Sequence, residues 1–168
     1  MSKLEVCKYG HNILRKKSVE ILEITQEIKV LAQDMLETMY AAPGVGLAAP
    51  QVGKSIALCV IDVSKEQNKP LVLINPKVVN TRDQVIMQEG CLSFPGMYED
   101  IKRFDFVEVA FIDLEGKSQK VSAEGFLSKA LQHEIDHLNA KLFIDYLPQW
   151  KRKNLQKEIK RKQKSGQW

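Results

Sequence analysis

Between Gln132 and Ala140 the chain reads QHEIDHLNA, and this stretch constrains the fold more than any other. It holds two of the three histidines, His133 and His137, with Glu134 directly after the first. Four-residue spacing stacks both imidazoles on one face of a helix. Leu127, Leu131, Ile135 and Leu138 form an apolar stripe, and Phe126, Ala130, His133 and His137 form a neighbouring one. The histidines therefore belong to a helix packed into the body. There they either hold a divalent cation or sit as hydrogen-bonded core residues.

The rest of the chain must surround that helix. TQEIKVLAQDMLETMYAA has helical spacing, with Thr25 as N-cap and Pro43-Gly44 as the stop. GVGLAAPQVG, next in line, is too rich in glycine for a helix and too apolar for a solvated loop. SIALCVIDVS, PLVLINPKVV and FDFVEVAFIDL read as strands. Pro76 marks the second as short or at a sheet edge. Glu115-Gly116 turns the third into KSQKVSA as a hairpin. These elements predict an α+β class, with small mixed β-sheets around a central buried helix.

One domain over residues 1–168 is the simplest organisation at this length. Within it, 148–168 forms a basic C-terminal helix. Eight Lys or Arg against one Glu give residues 149–168 a charge of +7, so the overall +4 leaves −3 on the body. Sparse apolar residues (Trp150, Leu155, Ile159) predict a solvated tail that frays before Trp168 and adds little to the core. Its charge suits either a solvated face or contact with RNA, and too few apolar residues share one face for a membrane surface. No run approaches the roughly 20 apolar residues that span a bilayer. The N-terminus MSKLEVCKYG has no signal-like apolar core, so a cytoplasmic location is expected. Cys7, Cys59 and Cys91 form no disulfide pattern. Cys59 in IALCVIDV reads as buried, Cys7 as structural, and His11 as a surface or loop histidine.

Two histidines leave a metal site incomplete. The long metzincin pattern requires glycine and histidine where this chain has Ala140 and Phe143. A downstream acid would have to be Asp145 or Glu158, the latter set among lysines. Upstream, EGCLSFPG offers Cys91 beside a glycine. A thiolate and two imidazoles would leave the fourth tetrahedral position open, as hydrolytic sites require.

GVGLAAPQ (44–51), EGCLS (89–93) and QHEIDHL (132–138) resemble the three signature motifs of the peptide deformylases, in that family's order. YGHNILRKKS near the N-terminus extends the resemblance. It implies Cys91, His133 and His137 as metal ligands, Glu134 as general acid/base, and Gln51 with the Leu92 backbone N–H as the oxyanion site. It implies one divalent metal per chain, natively ferrous iron, with zinc, nickel or cobalt able to occupy the site. The substrate would be the formylmethionine end of nascent polypeptides, and the basic helix would contact the ribosome. Val45, Gly46, Met87, Gly90, Phe126 and Ala130 are the expected pocket for the methionine side chain. Glu89, beside the cysteine turn, would orient a ligand with Arg103 as its partner. The family usually carries glycine two residues after HL, where this chain has Ala140, so the helix C-terminus must be capped at a steric cost. A metal-dependent peptidase and a non-catalytic RNA-binding module remain as rival readings, and the oligomeric state is open.

Overall fold

The computed structural model describes residues 3–168. Helix α1 spans Gln26–Ala41, and the Thr25 hydroxyl accepts the Ile28 N–H at its start, 3.4 Å away. Five strands follow: β1 (Gly46–Ala48), β2 (Leu58–Ile61), β3 (Leu71–Cys91), β4 (Phe94–Ile112) and β5 (Ser118–Glu124). Helices α2 (Gly125–Leu138) and α3 (Gln149–Lys164) complete the chain. The α+β class and the buried histidine helix are as the sequence predicts. The sheet is simpler than predicted, because the strands join one antiparallel array in chain order, β1-β2-β3-β4-β5.

Pro76 misleads about β3. The strand is 21 residues long and lies between β2 and β4, neither short nor at an edge. The missing N–H is absorbed where the β3–β4 register shifts, between Ile74 and Lys77. Strand β4 also starts well before Phe104, since pairing with β3 runs down to Cys91 opposite Phe94. That long hairpin carries Cys91 to its tip, and the predicted β4–β5 hairpin returns the chain into α2.

Helix α2 packs Leu131, Ile135 and Leu138 onto Cys59, Ile61, Leu73, Val107 and Val109 of the sheet. It ends in a paired cap, in which Ala140 N–H reaches the His137 carbonyl (3.2 Å) and Lys141 N–H the Asp136 carbonyl (2.9 Å). This closure needs the left-handed conformation at Ala140, whose φ is +60°.

The C-terminal segment departs from expectation. Leu155 and Ile159 are 7% and 2% exposed and join Leu14, Phe94, Phe143 and Leu147 in a core cluster. Arg152 caps the preceding turn by donating to the Ile144 and Asp145 carbonyls, and Lys151 pairs with Glu99. Beyond the helix, Trp168 turns back onto the body instead of fraying. Two apolar residues one turn apart suffice to dock a helix whose other faces are basic.

Candidate metal centre and substrate cavity

The hairpin tip and α2 bring three donors together from distant parts of the chain. Cys91 Sγ lies 3.3 Å from His137 Nε2, which is 3.2 Å from His133 Nε2. All three donor atoms fall within 4.8 Å of one another. The His133 Nδ1–H is taken by Glu89, so its Nε2 faces the other two donors. Glu89 in turn accepts two hydrogen bonds from Arg103, 2.8 Å from Nε and 2.7 Å from Nη2. Both residues are almost fully buried. Arg103 therefore belongs to the site's support and not to the surface.

The electrostatics follow from this packing. Burial works to raise the Glu89 carboxyl, but Arg103 and His133 outweigh it and hold it at about 2. Burial disfavours a charged His133, yet Cys91 and Glu89 hold its ring well above the ordinary value. Burial and the neighbouring His133 push His137 well below it. Cys91, His133 and His137 together offer one sulfur and two nitrogen donors. That set, with Nε2 atoms converging on a thiol, fits a divalent cation of the zinc or ferrous type.

Glu134 sits beside this cluster with Oε2 buried and lacking a hydrogen-bond partner among the described residues. Burial pushes its carboxyl up to about 7. Gly46 of β1 packs directly on this carboxylate, where any Cβ would overlap it. Gln51, in the 3-10 turn Ala49–Val52, is locked by its Oε1 accepting Ala48 N–H at 2.9 Å. Its Nε2 donates to Ser93 Oγ (3.1 Å) and towards Cys91 Sγ (3.6 Å). Leu92 follows the cysteine in the hairpin turn.

A cavity of about 640 Å³ opens over these residues. Val45, Gly46, Gly90, Phe126 and Ala130 line it, together with Gln51, Glu134 and His133. Met87 does not line it, and is half-buried on β3 opposite Ile101. Phe126 is half-exposed at the rim, not packed in the core. Sequence reasoning missed Met97, Tyr98 and Lys129 as lining residues. Tyr98 pairs with Gly90 across the hairpin, and its ring occupies the space a Gly90 side chain would need. Only the strand register could have exposed that relationship. His11 caps a short N-terminal turn at the surface and is not among the three grouped donors.

Taken together, fold and donors define a metal centre on an H-E-x-x-H helix whose third ligand comes from an upstream cysteine hairpin. The family model for polypeptide deformylase matches residues 3–153. The chain belongs to that family. It is 54% identical over 168 residues to a peptide deformylase of Endomicrobium trichonymphae, covering 100% of both chains. The crystal structure of a peptide deformylase from Legionella pneumophila superposes with a TM-score of 0.91 at 38% identity, covering 96% of this chain and 98% of that one. The Ehrlichia chaffeensis peptide deformylase in complex with actinonin gives 0.92 at 38% identity, with the same coverages.

Proposed function

We propose that this enzyme removes the formyl group from the N-terminal formylmethionine of nascent polypeptides and releases formate. The observation that carries this reading is the convergence of Cys91, His133 and His137 beside the unpartnered Glu134 carboxylate. A divalent cation held by those three residues would lower the pKa of a water molecule and polarise the formyl carbonyl. Glu134, buried beside the donors, takes the proton from the attacking water and delivers it to the amine as the carbon–nitrogen bond breaks. Negative charge developing on the formyl oxygen is met by the Gln51 side-chain N–H and the Leu92 backbone N–H. Gly46 keeps the β1 edge flush against Glu134, so an extended peptide can lie along residues 44–48. The methionine side chain enters the cavity between Val45, Gly90, Phe126 and Ala130.

Ferrous iron is the proposed native metal, with zinc, nickel or cobalt as possible occupants of a site with one thiolate. Residues 1–168 would act as one catalytic domain in the cytoplasm. No helix among the described residues is long and apolar enough to cross a membrane. The basic face of α3 is proposed to contact the ribosome, with salt-dependent affinity. Formate release from formyl-Met peptides, compared with cleavage of internal bonds in the same peptides, tests the reading. Internal cleavage without formate would instead favour a metal-dependent peptidase.

A further inference from the structure

Asp136 and Tyr146 take no part in the chemistry above, yet they complete a chain of contacts that ends on a ligand. Asp136 lies on α2 between the two histidines and does not line the cavity. Its Oδ2 accepts from Arg103 Nη1 at 2.6 Å and from the Tyr146 hydroxyl at 2.8 Å. The Tyr146 ring lies against the Arg103 guanidinium, 4.6 Å from centroid to carbon. Arg103 is thus fixed on two sides by carboxylates and on its face by an aromatic ring.

A planar guanidinium donates in a rigid fork, so its orientation decides where its partners sit. Two of its donors hold Glu89, and Glu89 holds the Nδ1–H of His133. A tilt of the guanidinium would therefore move Glu89 and rotate the His133 ring. Tyr146 reaches this network from the Phe143–Tyr146 turn that follows α2, so a separate segment sets the geometry of the helix ligand.

We propose that Asp136 and Tyr146 are positioning residues for the metal centre, acting through Arg103 and Glu89 on His133. The inference rests on reading Cys91, His133 and His137 as the metal ligands. Outer contacts of this kind typically change metal affinity by roughly 10- to 100-fold.

The test loads metal-free protein with Co2+ and reads affinity by chelator competition, the visible absorption of the cobalt, and unfolding of the metal-free form. Asp136→Asn should weaken Co2+ binding by about 10- to 100-fold and shift the absorption bands. Tyr146→Phe keeps the ring and should lose less, roughly severalfold. In a Glu89→Ala background the Tyr146→Phe loss should disappear, because no side chain at 89 then links Arg103 to His133. A purely structural role would lower metal-free stability without that coupling. Wild-type affinity in both variants, or a Tyr146→Phe loss undiminished by Glu89→Ala, overturns the proposal. Failure of the ligand reading is separate: wild type would take no Co2+, or Cys91→Ser would hold it as tightly.

Discussion

Trp168 at the C-terminus donates its indole N–H to the backbone carbonyl of Tyr9, 3.3 Å away. Its ring meets the edge of Phe94, which stacks on Tyr9 at 4.9 Å and lines the cavity. Tyr9 and Trp168, far apart in sequence, are thus clasped over a wall of the site.

Truncation after Trp150 removes Leu155, Ile159 and Trp168 from this cluster. It should destabilise the protein by several kcal/mol, since a single Leu155→Ala costs about 2 to 5 kcal/mol at a buried site. Urea unfolding of the three forms measures this. Equal midpoints for truncated and full-length protein would show that α3 is dispensable to the core.

Cys91→Ser replaces a thiolate by a neutral hydroxyl. Metal content after dialysis should fall sharply, and formate release with it, while far-ultraviolet circular dichroism stays native. Full occupancy in this variant would remove Cys91 from the ligand set.

Glu134→Ala should keep its metal, because the carboxylate is not among the three converging donors. Deformylation should drop by about 100- to 10,000-fold or more, the range for a general acid–base group, here serving two proton transfers. Measuring metal and rate on one preparation separates the two, and loss of metal would assign Glu134 a ligand role.

Glu89 gives the fold a defined acid sensitivity. Its carboxyl is lowered from 4.5 to about 2 in the folded state. Stability from this group is fully present above pH 4.5 and is lost as pH falls through about 2. The change amounts to about 3 kcal/mol. Unfolding free energies of metal-free protein should decline across that window, and Glu89→Gln should flatten the decline. An unchanged slope in the variant would place the acid sensitivity elsewhere.

Ala140→Gly should stabilise the protein by roughly 0.5 to 1 kcal/mol. Glycine relieves the left-handed strain of about 1 to 2 kcal/mol, offset in part by its greater freedom in the unfolded chain. A thermal melt resolves this, and a lower midpoint for the glycine variant would mean that the cap tolerates alanine without strain.

Local patterns made much of this legible. Helical spacing and a capping threonine placed α1 and α2, and the two histidines on α2 led to the donors that Cys91 joins. Pairing was less visible, because a bulge lets Pro76 sit inside a central strand and no local signal announces a bulge. Met87 was misplaced for the same reason, since its side depends on register. The tail was misread because two anchors among many lysines are enough when a matching hydrophobic surface awaits them. Asp136 and Tyr146 were invisible until the turn after α2 brought the tyrosine back over Arg103.

The hairpin that carries Cys91 has one more consequence. Cys91 and His137 are separated by 46 residues. At roughly 5 to 20 residues per second of translation, about 2 to 9 s pass between the synthesis of one and the other. Throughout that interval the centre has its cysteine arm and lacks its histidine arm. An enzyme that trims newborn chains thus cannot complete its own centre until His137 has been made.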